Sequence, residues 1–260
     1  MPSLARRLVD WAAAFEDGAL IRAAFFGLLT ATGVILYLDY TELSAGTPTT
    51  PPAPELTPIL PAFDPGAPGG KPGPPVKTPL AQLREPLAVA LVSGGVLELT
   101  GTIDPGAAAR VEAEIDAHGE YIRSVALDSP GGAVQDALAI GRLIHDRGFA
   151  TSVASGALCA SSCPLIFAAG RERIAGAGAA IGVHQIYAAA PEGTLTSRLA
   201  AAGAAMSDAQ RLTAEISRYL RAFGIGDEVW LKALETPPDR LTYFSAQELK
   251  RLNLATSVGN

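Results

Sequence analysis

The chain has no clustered run of lysine and arginine. Its 20 basic residues face 26 acidic ones, a formal net charge of −6, and a nucleic-acid partner is excluded on that ground. Cysteine is nearly absent. Two in 260 residues are too few to staple a disulfide scaffold, and they do not sit in a zinc-ligand spacing. These two, Cys159 and Cys163, read either as one local bridge in an oxidising compartment or as two small buried hydrophobes. Charged residues reach only 18% against 48% hydrophobic, so one domain of ordinary size can bury a core, with segments to spare. No internal repeat is present.

Near the N-terminus, after Arg6 and Arg7, an apolar run "ALIRAAFFGLLTATGVILYL" extends from Ala19 to Leu38. Its 20 residues suffice to cross a bilayer as a helix. Arg22 lies close enough to one end to snorkel, and Asp39 and Glu42 follow the other end. Arginines before and acids after predict a cytoplasmic N-terminus. A cleaved signal peptide and a buried helix are the rival readings. From Ser44 to Pro79 proline is too dense for helix or sheet ladders and predicts an extended tether. The organisation is thus an anchor over residues 1–43, a Pro/Gly-rich linker over 44–80 and a working domain over 81–260.

That domain alternates strand and helix patterns. "LAVALVSGGVLELTG" predicts two strands around a Gly-Gly turn. "DPGAAARVEAEIDAHG" predicts a helix with Asp104 as N-cap and Pro105 at the first position. "SVALDSPGG" reads as a strand ending in a glycine turn, and "AVQDALAIGRLIHDRG" as an amphipathic helix closed by Gly148. "FATSVAS" is a strand, "RERIAGAGAAIGVHQI" strand, turn and strand, and Thr194–Phe223 a long helical stretch with a break. "LTYFSAQELKRLNLATSV" reads as strand, capped helix and strand. Repeated strand-then-helix units predict an α/β fold with a mostly parallel sheet.

Chemistry is concentrated in "GALCASSCPLIFAAG", Gly156 to Gly170. Proline is tolerated in the first turn of a helix but clashes further in, so the helix holding Pro164 should begin near Ser161. Ser161 then lies at or beside the N-cap, where unpaired N–H groups and the helix dipole favour negative charge. It reads as a nucleophile or as a plain capping serine. Of three histidines, His118 is a solvated residue near a helix end and His145 lies in a last helical turn. His184 follows a small, apolar strand and reads as a core histidine or as a base. "SPGG", Ser129–Gly132, is either a turn aiming N–H groups into a cleft or an ordinary tight turn.

The order "LDSPGG", "CASSCPLIFAAG", "GVHQ", "FSAQELKRLNLATSV" resembles the proteolytic subunit of the Clp protease and its relatives in the crotonase-like superfamily. The resemblance covers roughly Leu87 to Val258 and implies a ClpP/crotonase-like fold of repeated strand-strand-helix units. It places the nucleophile at Ser161, nine residues before Gly170 (170 − 161), and the general base at His184. The amides of Gly132 and Ser162 would form the oxyanion hole, and Asp239 is the candidate acid. Leu241 stands where the family acid usually sits, so a Ser–His dyad or Glu235 are the alternatives. The reaction implied is peptide-bond hydrolysis without metal or organic cofactor.

The expected partners are a peptide or unfolded-protein substrate and the membrane, and the rings of the relatives imply a homo-oligomer. Anchor and tether resemble membrane-bound bacterial relatives. They imply a single-pass inner-membrane protein whose C-terminal domain lies in the periplasm or outside. Two rivals share the fold: a catalytically inactive binding or scaffolding protein, and an acyl-CoA enzyme of the crotonase group. A Ser–His pair at peptidase positions and export away from CoA count against the latter.

Overall fold

The computed structural model describes residues 17–44, 73–186 and 195–259. It comprises two units, Met1–Ala53 and Pro54–Asn260. Arg6, Arg7 and most of the proline-rich linker lie outside the described residues.

The first unit contains helix α1, Asp17–Ser44. Its window Ile21–Leu38 has mean hydropathy 1.7 and none of it is buried. Phe25, Phe26, Leu28 and Val34 stand exposed on different faces, so the helix lacks a polar side. It is long and apolar enough to cross a membrane, and its length and place also suit a signal sequence.

The second unit is α/β. Its elements are α2 (Leu80–Leu83), β1 (Ala88–Val92), β2 (Val96–Thr100), α3 (Ala107–His118), β3 (Ser124–Asp128), α4 (Val134–Arg147), β4 (Ala150–Val153) and β5 (Leu158–Ala160). They continue with α5 (Cys163–Ala168), β6 (Arg173–Ala175), β7 (Ala180–Val183), α6 (Leu195–Ala222), α7 (Glu228–Glu235), β8 (Thr242–Tyr243), α8 (Ala246–Arg251) and β9 (Ser257–Val258). A six-stranded sheet has the order β1-β2-β3-β4-β6-β9, and a three-stranded sheet the order β5-β7-β8. Among the described residues only β1–β2 and β7–β8 pair antiparallel. The antiparallel hairpin follows from the Gly94–Gly95 turn, and the parallel pairs from the helical crossovers.

The core lies between the large sheet and its helices. Leu97 and Leu99 of β2, Val125 and Leu127 of β3, Ile115 of α3, and Ile140 and Ile144 of α4 are all buried. Helix α5 is buried along its whole length, as its sequence of small and apolar residues requires. A smaller cluster of Leu83, Leu158, Ala160 and Ala180 sits under the three-stranded sheet. Residues 73–79, within the expected linker, are extended and reach this sheet: Lys77 N–H donates to the Gly156 carbonyl at 2.8 Å, and Val76 packs on the small cluster.

Several local expectations are corrected. Asp104 does not cap α3. Its carboxylate accepts from the Leu87 N–H at 3.0 Å and pairs with Arg110, which holds it below the usual carboxylate range against the opposing effect of burial. The cap comes from elsewhere, as Asp136 accepts from Gly106 and Ala108 N–H at 3.0 and 2.9 Å. Pro105 therefore precedes the helix, which starts after Gly106 at φ +89°. Helix α6 runs unbroken, because its one glycine, Gly203, lies among alanines, the strongest helix formers, and costs only about 1 kcal/mol. Strand β5 and helix α7 are elements that the sequence pattern did not announce. The capped helix near the C-terminus is present: Ser245 and Glu248 form a capping box at α8.

Candidate active site

Strand β5 pairs with β7 in the register Leu158↔Ala180 to Ala160↔Gly182, which puts the residue after β5 beside the end of β7. That residue is Ser161. Its N–H donates to the Gly182 carbonyl at 3.0 Å and the chain then turns sharply into α5. The turn is left-handed, with Ser161 at φ +60°. Such a conformation costs a residue with a Cβ about 1–2 kcal/mol and is concentrated at functional sites. A strand–turn–helix of this shape pushes its side chain out of the sheet. Helix α5 begins at Cys163 with Ser162 as cap, two residues later than Ser161, and Pro164 occupies its first turn as the sequence required. Cys159 and Cys163 are joined as a disulfide, and both are fully buried.

The glycine turn after β3 lies directly against this serine. Residues 129 and 159 form a parallel bridge, and the Ala160 N–H donates to the Ser129 carbonyl at 3.0 Å. A Cβ on Gly131 would come within 2.6 Å of the Ala160 carbonyl oxygen and of Ser161 Cβ, so only glycine allows this approach. Gly132, at φ +147°, donates its N–H to Ser162 Oγ at 2.9 Å, and Ser162 Oγ donates back to the Gly132 carbonyl at 3.2 Å. The amide expected to hold an oxyanion thus already has an oxygen acceptor, supplied by the residue after the expected nucleophile. Asp128 braces the turn from below: the Leu158 N–H donates to it at 2.9 Å and the Thr78 hydroxyl at 2.5 Å.

His184 follows β7 directly and is 7% exposed. Burial pushes its imidazole below the ordinary value, partly offset by a hydrogen bond to the Pro238 backbone. Proline has no N–H, so the partner is the Pro238 carbonyl and the imidazole is the donor. The 236–243 segment is held there by Gln185 N–H to the Thr236 carbonyl at 2.8 Å and by the pairing Val183↔Thr242. An imidazole donating one N–H to a carbonyl offers its other nitrogen as an acceptor.

Ser161, Ser162 and His184 line one cleft with about 440 Å³ of space between atoms, part of it open to solvent. The rest of the wall is apolar and comes largely from α6 and α7, including Ile216, Leu220, Val229 and Trp230. Helix α6 is fixed by Tyr219, which donates to the Leu165 carbonyl at 2.8 Å, and by Arg142 on Glu215 at 2.7 Å. No lining residue carries a permanent charge.

Of the residues expected from sequence, the structure brings together Ser161, Ser162 and His184 in the cleft, with Gly132 bonded to Ser162. Asp239 is placed differently. Its side chain is 69% exposed and its carboxylate accepts from Arg240 at 3.3 Å. Glu235 is exposed at the end of α7. The sequence reading missed the Pro238 carbonyl, which no side chain announces, and the apolar wall, which the spacing of Leu212, Ile216 and Leu220 on α6 could have revealed. Among the described residues, no group of three or more His, Cys, Asp and Glu is placed to hold a metal ion.

Compared with known proteins, the chain matches no family model and no curated protein.

Proposed function

We propose that this chain is a membrane-anchored serine peptidase of the Clp type. The reading rests on one observation: Ser161 stands in a left-handed strand-to-helix turn and lines the same cleft as the buried His184. His184 takes the Ser161 proton as the hydroxyl attacks an amide carbonyl, and the Pro238 carbonyl holds the imidazole tautomer where the family would use an acid. Backbone amides of Gly132 and Ser162 hold the oxyanion once the Ser162 hydroxyl rotates off Gly132. The substrate is a peptide or an unfolded segment. In this reading the N-terminal helix is the anchor and the domain lies outside the cytoplasm; a phosphatase fused after Asn260 is active in that orientation and inactive, at equal expression, in the reverse one.

The test is fluorophosphonate labelling of the full chain in detergent, beside Ser161→Ala and His184→Ala. Labelling confined to the wild type, with unchanged circular dichroism, is the expected result. A folded wild type that stays unlabelled overturns the proposal. It favours the second reading, a non-catalytic binding domain on the same fold, which the occupied Gly132 amide and the exposed Asp239 support.

A further inference from the structure

The two cysteines flank the serine turn. Cys159 is the middle residue of β5, Cys163 is the first of α5, and only Ala160, Ser161 and Ser162 lie between them. Both are fully buried and joined. The turn they enclose carries a cost, because Ser161 holds a left-handed conformation without being glycine, and such residues persist only where the surroundings over-determine them. On the strand side the restraints are plain: β5 is hydrogen-bonded to β7, and the Ser161 N–H to Gly182. On the helix side α5 is held by burial and by bonds to its Leu165 and Phe167 carbonyls, all of them non-covalent and all beyond the turn except the Ser162–Gly132 pair. Helix α5 has six residues, its Pro164 has no N–H to give, and the cap residue Ser162 makes no side-chain cap bond because its hydroxyl is engaged with Gly132. The disulfide is the covalent link that spans the turn itself, from the strand before Ser161 to the helix after it.

We propose that the Cys159–Cys163 bridge is a positioning element for Ser161, holding the turn in the conformation that sets its hydroxyl in the His184 cleft. The proposal rests on the peptidase reading for its catalytic consequence, but not for its structural one. Without the bridge the three-residue turn loses its covalent restraint, Ser161 relaxes toward right-handed or extended backbone, and the hydroxyl and the Ser162 amide leave their places together. Burial of both sulfurs keeps thiols away in the folded state, so the bridge acts as a permanent brace and not as a switch. It also matches delivery past a membrane by the N-terminal helix, to a compartment where disulfides persist.

The experiment compares wild type with Cys159→Ala/Cys163→Ala and Cys159→Val/Cys163→Ala, as full chains in detergent, well below their melting temperatures. Two readouts are taken: the second-order rate of fluorophosphonate labelling across pH, and amide hydrogen exchange of the 157–165 peptide. The expected result is a tenfold or greater fall in labelling rate with the pH midpoint unmoved, and faster exchange confined to that peptide. A lower melting temperature with unchanged labelling rate and unchanged local exchange overturns the proposal and leaves the bridge merely stabilising. Failure of both variants to fold also overturns it, since the bridge then serves the whole fold. If wild type does not label while exchange still rises selectively in the variants, the positioning role stands and the peptidase reading falls.

Discussion

Two strand-to-helix turns meet at the cleft, and they solve the same geometric problem differently. The turn from β3 to α4 needs positive φ at two residues and uses glycine at both, Gly131 and Gly132. The turn from β5 to α5 needs it at one and uses Ser161, inside a disulfide. Glycine is the low-cost solution wherever only the backbone matters. The first turn contributes backbone, an amide and the room for a close approach. The second contributes a side chain, so it carries the strain of a Cβ in the left-handed region and is braced covalently. The contrast says which turn presents a hydroxyl and which presents an N–H.

The sharpest way to break the contrast is to put a Cβ on the glycine side. At Gly132 it would lie 2.2 Å from the Ile103 carbonyl oxygen, which is backbone and cannot step aside. Gly132→Ala should cost about 4 kcal/mol, the range reserved for backbone strain and overpacking. Urea unfolding of the full chain in detergent measures it, and a loss under about 1 kcal/mol would mean that the turn is not as tight as described. Next in size is removal of the brace. The ring closed by residues 159 and 163 is short, and the chain-entropy account gives about 2 kcal/mol for Cys159→Ala/Cys163→Ala. The same melts read it. Ser161→Gly inverts the contrast by making both turns glycine. It should raise stability by about 1 kcal/mol as the left-handed strain is relieved, while labelling disappears. Lower stability in this variant would show that the strain at Ser161 is smaller than the freedom glycine adds to the unfolded chain.

These particulars also mark what the sequence could and could not disclose. The parallel α/β order was legible because each helix carries its apolar stripe and each strand its turn residues; Gly148 closing α4 and the Ser245–Glu248 box of α8 are local signals with local causes. The positions of Ser161 beside a helix start and of His184 after a strand followed from Pro164 and a short small-residue strand, whereas their expected roles came from the family resemblance alone. The cap of α3 was not, since Asp136 reaches it across 28 residues and no local pattern encodes that. Strand β5 was hidden by its length of three residues, too short for a period to show. The acid was the weakest part of the reading, and the structure shows why. Asp239 lies one residue beyond the group that reaches the imidazole, and that group is a main-chain carbonyl with no letter of its own.

The smallest effect tests whether the hydroxyl side of the contrast has a neutral acceptor waiting. Burial lowers the His184 pKa below its ordinary 6.5, and the Pro238 carbonyl only partly restores it. Above pH 6.5 the imidazole is neutral in the folded and the unfolded chain alike, so the contribution to stability is fully present. As pH falls through 6.5, the unfolded chain takes up a proton that the folded one refuses, and stability declines until the lower folded value is passed. All other groups are common to wild type and His184→Gln, so the informative quantity is a difference. Urea melts from pH 7.5 to pH 5 should show a shallower acid decline for His184→Gln than for wild type. The labelling rate of wild type should meanwhile hold its plateau to a pH below 6.5, because the base stays unprotonated there. Parallel stability curves would mean that His184 gains a proton in the fold as easily as in water. An imidazole so well solvated would not be the dry acceptor that the proposed peptidase mechanism requires.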